Sequence, residues 1–163
     1  MASSSSTLLF SAIVFAGIVL TRTDFSMNRT APPFSLPESY GGQVDLASYA
    51  GRPVLLVFWA TSCGICRHEL PLLSQLAPEL RSQGLDVLLI DIGGGDDVNE
   101  YISTNHIRLT SVVDADGTVA QAYRVSAIPK MVLVGADGLI KRTSVGGAGE
   151  DTLRDWARSA GGS

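Results

Sequence analysis

The chain has 163 residues, of which 45% are hydrophobic and 17% carry a charge. This length and composition fit one folded domain with a buried core and exclude an intrinsically disordered chain. The formal net charge is −4, and lysine and arginine form no cluster along the sequence, so nothing indicates nucleic acid as a partner.

The first feature in chain order is an apolar segment over residues 8–20 (LLFSAIVFAGIVL), with no charged side chain before Arg22. It is long for the core of a signal peptide and shorter than the roughly 20 residues that span a bilayer comfortably. We interpret residues 1–23 as a membrane anchor, with a cleaved signal or an organellar transit segment as alternatives. The segment predicts an extracytoplasmic domain, although Arg22 and Arg29 follow it, which the positive-inside rule associates with the cytoplasmic side.

Residues 24–30 form a short polar segment, which we interpret as a linker to a folded domain over residues 31–163. Near the start of this domain, Tyr-Gly-Gly-Gln at 40–43 is typical of a hairpin turn, and residues 44–46 fit a short second strand. The domain therefore begins with a β-hairpin.

After the hairpin, apolar runs rich in β-branched residues alternate with segments that have helical spacing. The predicted elements are a strand at 53–59, a helix at 64–83, a strand at 85–92, a helix ending near 105, a strand at 109–113, a helix at 118–124, strands at 130–134 and 139–145, and a helix at 151–159. This order predicts an α/β fold in which a mixed sheet has helices on both faces.

The only two cysteines, Cys63 and Cys66, lie where the strand at 53–59 passes into the first long helix. The unpaired N–H groups and the dipole of a helix N-terminus favour a thiolate at the first cysteine. The second cysteine lies one turn later and can close a small disulfide ring onto it. A C-x-x-C in this position suits reversible thiol–disulfide exchange, with Cys63 as nucleophile and Cys66 as resolving thiol.

Other chemistry for the two cysteines fits less well. A purely structural disulfide would close a four-residue loop, which constrains the unfolded chain little. A zinc site would have only His68 and His106 as further nitrogen ligands, and we interpret both as surface residues. Attachment of c-type haem is excluded, because that motif needs histidine directly after the second cysteine, where Arg67 stands.

A set of short motifs follows in order along residues 31–160. They are Ala-Pro-x-Phe at 31–34, Gly-Arg-Pro at 51–53, Phe-Trp-Ala-Thr at 58–61, C-x-x-C-Arg-x-Glu-x-Pro at 63–71, Val-Val-Asp-x-Asp-Gly at 112–117, Ala-Tyr-x-Val at 122–125, Ile-Pro at 128–129 and Val-x-x-Asp-Gly at 134–138. The ordered set resembles the membrane-anchored thioredoxin-like reductases of the TlpA/ResA type, within the redoxin or AhpC/TSA-type superfamily. The resemblance implies a three-layer thioredoxin-like fold with an N-terminal hairpin and an inserted αβ element.

The resemblance also implies roles for two residues outside the cysteine pair. Glu69 would be a carboxylate near the thiols that helps to move protons; the alternative is a solvated residue paired with Arg67 or Arg81. Pro129 would be a cis-proline packed against the C-x-x-C, beside backbone groups that bind an extended substrate; the alternative is an ordinary trans proline. Thioredoxin itself has a buried aspartate at the strand position that is Val57 here.

These features and the resemblance predict an enzyme, a thiol–disulfide oxidoreductase that reduces protein disulfides such as those of apocytochrome c, with an oxidase that introduces disulfides as the alternative direction. The expected partners are protein substrates and a membrane electron donor. No cofactor is expected, and the chain is expected to be a monomer. Ser62 and Ile65 stand where this type of protein usually has tryptophan and often has proline, and residues between the cysteines tune the redox poise. Alternatives are a thiol peroxidase, for which Leu56 and Ala60 replace the expected proline and threonine, and a non-catalytic metal-binding or chaperone module.

Overall fold

The structure is a computed structural model that describes residues 27–160. The predicted anchor or signal at 1–23 and residues 24–26 of the predicted linker lie outside the described residues. Within residues 27–160, no helix combines the length and the hydrophobicity needed to cross a bilayer.

Seven strands and four helices make up the described part of the chain. They are β1 (Ser35–Pro37), β2 (Gln43–Asp45), β3 (Val54–Trp59), α1 (Gly64–Ser82), β4 (Asp86–Asp91), α2 (Val98–Thr104), β5 (Thr110–Val113), α3 (Thr118–Ala122), β6 (Lys130–Val134), β7 (Ile140–Val145) and α4 (Glu150–Ala160). A short 3-10 helix, Leu46–Tyr49, follows β2. The predicted elements are all present, with ends that differ by one or two residues.

Five of the strands form one mixed sheet in the order β5-β4-β3-β6-β7, and β1 pairs with β2 in a separate hairpin. The pairs β3–β4 and β4–β5 are parallel, whereas β3–β6 and β6–β7 are antiparallel. All six residues of β3 are buried, as its continuous apolar sequence predicts. The site therefore starts from the central strand of the sheet.

The sheet separates two hydrophobic layers. Alternate residues of β3 point to opposite faces, so Val57 packs with α1, α2 and α4, whereas Phe58 packs with α3 and the hairpin. This confirms the predicted α/β fold, with a mixed sheet between helical layers and an N-terminal hairpin.

Helix α1 continues through Pro71 and Pro78. Because proline has no N–H, Pro71 cannot donate to the carbonyl of Arg67 one turn earlier. The hydroxyl of Tyr101 in α2 donates to this carbonyl instead, at 3.1 Å. The first turn of α1, which follows Cys63 directly and contains Cys66, is thus hydrogen-bonded to the neighbouring helix.

Helix α3 ends earlier than its spacing predicts. Arg124 was expected to be helical, but its φ is 51°, in the left-handed region. The ammonium group of Lys130 donates to the carbonyls of Tyr123 and Arg124 at 2.9 and 3.0 Å. These bonds cap the end of the helix and fix the start of the loop that leads to Pro129.

Candidate active site

Both cysteines lie in the turn between β3 and α1. Cys63 is the N-cap residue of α1, in extended conformation, and its N–H donates to the carbonyl of Ala60 at 3.1 Å. Cys63 and Cys66 form a disulfide, with their Cα atoms 5.2 Å apart. Cys63 is half-buried and Cys66 is 0% exposed, so Cys63 is the more accessible of the two residues.

The N-terminus of α1 also provides the electrostatic environment of Cys63. The backbone N–H of Cys66 donates to the sulfur of Cys63 at 3.2 Å. Such a bond, together with the positive end of the helix dipole, stabilises negative charge on this sulfur once the disulfide is opened. The local geometry therefore suits a nucleophilic thiolate at Cys63.

The loop before β6 forms the opposite side of the site. The Ile128–Pro129 peptide bond is cis, as the resemblance implies, and Pro129 is buried. The carbonyl oxygen of Ile128 lies 3.7 Å from the sulfur of Cys63. The backbone immediately before Pro129 is therefore next to the more accessible cysteine.

Glu69 lies three residues after Cys66 on α1 and is half-buried. Residues with this spacing lie on the same face of a helix, about 5–6 Å apart at Cβ. The two arginines considered as its partners have other contacts: Arg81 pairs with Asp86 at 3.0 Å, and the Arg67 guanidinium lies 5.7 Å from the ring centroid of Tyr101.

Two cysteines at a helix N-terminus beside a cis-proline loop favour thiol–disulfide chemistry, and the comparisons with known proteins agree. A model of the AhpC/TSA family matches residues 27–143. The chain belongs to the AhpC/TSA family. Over 147 residues it is 27% identical to the thiol-disulfide oxidoreductase ResA of Geobacillus thermodenitrificans, covering 90% of this chain and 84% of the relative.

Solved structures give the same result for this AhpC/TSA-family chain. A candidate thiol:disulfide interchange protein DsbE from Chlorobium tepidum superposes with a TM-score of 0.78 at 26% identity, covering 85% of this chain and 100% of that one. A secreted Mycobacterium tuberculosis disulfide oxidoreductase homologous to E. coli DsbE has a TM-score of 0.68 at 26% identity, with coverages of 77% and 95%. The predicted thioredoxin-like fold and activity are confirmed: the protein is a thiol–disulfide oxidoreductase.

The other residues considered from the sequence lie outside this enzyme's cysteine site. His68 and His106 are both exposed, as expected. Trp59 is fully buried, and its ring centroid lies 5.4 Å from that of Tyr101, so it belongs to the core. Val57 is buried too and provides no acid beneath the cysteines.

Asp91 is a buried carboxylate that the sequence analysis missed. It ends β4, opposite Trp59 in the parallel register, and is 0% exposed. Its Oδ1 accepts the N–H of Gly93 at 3.1 Å, whereas its Oδ2 has no hydrogen-bond partner within the described part of the chain. Burial raises the pKa of this carboxyl, and the N–H groups of Gly93 and Gly95 partly offset that increase. The sequence feature that could have identified Asp91 is its position as a polar residue at the carboxyl end of a buried parallel strand.

The raised pKa of Asp91 makes stability depend on pH. The folded state favours the protonated Asp91 carboxyl. The contribution of this protonated form to folding stability is therefore fully present below the ordinary pKa of 3.8, and it is lost as the pH rises through the pKa of Asp91 in the folded state. We expect the stability of Asp91→Asn, which keeps the acceptor for Gly93, to increase relative to that of the wild type as the pH rises from acid to neutral. Urea unfolding at several pH values measures this difference.

Asp96→Asn is the matched control, because Asp96 is an exposed carboxylate of the same loop. Urea unfolding of Asp96→Asn over the same pH range gives the effect of removing one exposed carboxylate from this loop. Parallel pH curves for Asp91→Asn and Asp96→Asn would contradict the effect assigned to Asp91.

Two surface grooves, with volumes of about 1020 and 540 Å³, lie away from the cysteines. The larger is lined mainly by residues of α1 and by residues 102–110, and the smaller by the hairpin region and the start of β4. Neither is lined by Cys63, Cys66, Glu69 or Pro129. The cysteine pair thus lies at a surface beside a backbone segment, outside both grooves.

Proposed function

We propose that this oxidoreductase reduces protein disulfides outside the cytoplasm, with Cys63 as the nucleophile. The observation that carries the proposal is the different exposure of the two sulfurs. Cys63 is half-buried at the helix N-terminus and accepts the N–H of Cys66, whereas Cys66 is 0% exposed. A substrate sulfur can approach the first cysteine, while the second is placed to resolve the product.

The proposed cycle starts from the reduced dithiol. The Cys63 thiolate attacks one sulfur of the substrate disulfide, a Cys63–substrate bond forms, and the other substrate sulfur leaves as a thiolate. Cys66 then loses its proton and attacks the sulfur of Cys63, which releases the second substrate sulfur. Two electrons pass to the substrate, and the Cys63–Cys66 disulfide remains, as in the structure described here.

Two further residues support this cycle in the proposal. Glu69, on the same helix face as Cys66, accepts the proton that the buried Cys66 thiol must lose before it attacks. The backbone before Pro129 binds the substrate as an extended chain, since the Ile128 carbonyl lies 3.7 Å from the attacking sulfur.

The proposed location and partners rest on the sequence and on the relatives. The apolar segment at 8–20 supports export or anchoring, and the similar Mycobacterium tuberculosis protein is a secreted one. The resemblance to the ResA type suggests apocytochrome c cysteines as substrates and a membrane thiol donor that restores the dithiol. We propose that the chain acts as a monomer.

The reduction potential of the Cys63–Cys66 pair in the full chain tests the direction of the reaction. We expect a value near that of thioredoxin, about −270 mV, as a protein that donates electrons requires. Glutathione or dithiothreitol buffers set the poise, and the fluorescence of the buried Trp59 reports the redox state. A value near −120 mV would contradict the proposal, because such a pair oxidises its substrates.

A further inference from the structure

We propose that Gly147 positions the carboxylate of Glu69 for proton exchange with Cys66, and so acts as a positioning residue for the thiol–disulfide reaction. Gly147 lies in the loop between β7 and α4, far from the C-x-x-C in sequence. The inference rests on the proton-accepting role given to Glu69 in the proposed function.

The main observation is the close approach of the Glu69 carboxylate to the backbone of Gly147. An ideal Cβ atom placed on Gly147 would lie 2.7 Å from Cδ and 3.3 Å from Oε2 of Glu69, and it would overlap Oε1. These atoms belong to the end of a flexible side chain. A methyl group at position 147 would therefore push the carboxylate away without requiring the backbone to move.

Backbone conformation does not explain a glycine at this position. Gly146, the preceding residue, has a φ of 88°, which favours glycine regardless of its surroundings. Gly147 is outside this left-handed region, so an L-residue could adopt its backbone conformation. The space that the Glu69 carboxylate occupies is the feature that a side chain at position 147 would remove.

The residues on both sides of Gly147 are anchored by contacts, so the backbone that the Glu69 carboxylate packs against is held in place. The N–H of Gly146 donates to the carbonyl of Pro129 at 2.9 Å. Ala148 is 6% exposed and packs in the hydrophobic layer that also contains Cys66. One short loop thus contacts both Glu69 and Pro129, the two residues expected to assist the cysteines.

A fixed carboxylate matters because Cys66 is buried. When Cys66 attacks the Cys63–substrate disulfide, its proton must leave from a thiol with 0% exposure. Glu69 is a long side chain that can otherwise turn toward solvent. Close packing against Gly147 limits the positions open to its carboxylate, which belongs to the helix face that also carries Cys66.

The test is the pH dependence of mixed-disulfide resolution in the full chain, followed with a disulfide-bonded peptide as substrate. We expect Gly147→Ala to slow resolution by at least about tenfold near pH 6, where proton transfer to a base is needed. The deficit should shrink steadily as the pH rises, because hydroxide can then remove the Cys66 proton without help from the carboxylate. A merely structural defect would slow the reaction at every pH.

Gly149→Ala is the matched control. Gly149 lies in the same loop, is also outside the left-handed region, and has no atom within 4 Å of a Cβ placed on it. This variant should keep the wild-type pH profile. Urea unfolding should show that both glycine variants remain folded.

Glu69→Gln separates this inference from the proposed function. Glu69→Gln should reproduce the deficit near pH 6, and adding Gly147→Ala to it should cause no further loss. A normal profile for Gly147→Ala beside a defective Glu69→Gln would overturn the positioning role alone, as would additive losses in the double variant. A normal profile for Glu69→Gln would overturn the role of Glu69 and, with it, the inference.

Discussion

Replacing Cys63 with serine should reduce disulfide exchange to the level of buffer without protein, whereas replacing Cys66 with serine should stop the reaction at the mixed disulfide. Cys63 is half-buried and accepts the N–H of Cys66, so it is the sulfur that a substrate can reach as a stabilised thiolate. Cys66 is 0% exposed and can attack only a bond that Cys63 has already formed. The two variants should therefore fail in different ways.

Non-reducing electrophoresis and mass spectrometry of the reduced variants, mixed with a disulfide-containing protein, measure this difference. A covalent adduct should accumulate with Cys66→Ser and be absent with Cys63→Ser. Ser62→Ala is the control, since Ser62 is an exposed residue of the same turn, and it should retain exchange. Exchange by Cys63→Ser, or a substrate adduct on Cys66, would show that the nucleophile has been assigned wrongly.

The cysteine site could be predicted from sequence because its parts are local. The apolar strand that ends at Trp59, the C-x-x-C and the helix that follows lie within one continuous segment. Strand and helix periodicity record which residues are buried, and the helix N-terminus follows directly from where the strand stops. The exposure of Cys63 relative to Cys66 then follows from their positions in the first turn.

The contacts that surround the cysteines could not be predicted in this way. The packing of Glu69 against Gly147, and the donation from Tyr101 to the carbonyl of Arg67, join residues far apart in the sequence. Nothing in the local pattern around Gly147 distinguishes it from Gly149, although a Cβ placed on Gly147 would meet Glu69 of α1 and one placed on Gly149 would meet no atom within 4 Å. Such contacts depend on how helices and loops are placed over the sheet.

Helix α1 shows where periodicity reaches its limit. Leu72 and Leu73 are adjacent residues of this helix, and their apolar character alone does not distinguish them. The structure buries Leu73 completely and leaves Leu72 half-buried, because adjacent residues on a helix point about 100° apart. Spacing alone identified the face of the helix but not how far it extends around the axis.

Leu73→Ala should destabilise the domain by roughly 2–5 kcal/mol, the usual cost of truncating a fully buried leucine. Leu73 packs in the hydrophobic layer that contains Cys66, and its removal leaves a cavity beneath the helix that carries the site. Leu72→Ala makes the same chemical change at the neighbouring, half-buried position and should cost roughly 1 kcal/mol. Urea unfolding of the disulfide-bonded proteins gives both values under the same conditions.

Keeping the disulfide intact matters for this comparison, because the Cys63–Cys66 bond then constrains the unfolded state equally in both variants. Any difference in the free energy of unfolding consequently reports the packing of the two leucines. Equal losses for Leu72→Ala and Leu73→Ala would contradict the orientation of α1 over the sheet. Since that orientation also determines why Cys66 is buried and Cys63 is accessible, the same result would weaken the assignment of their roles.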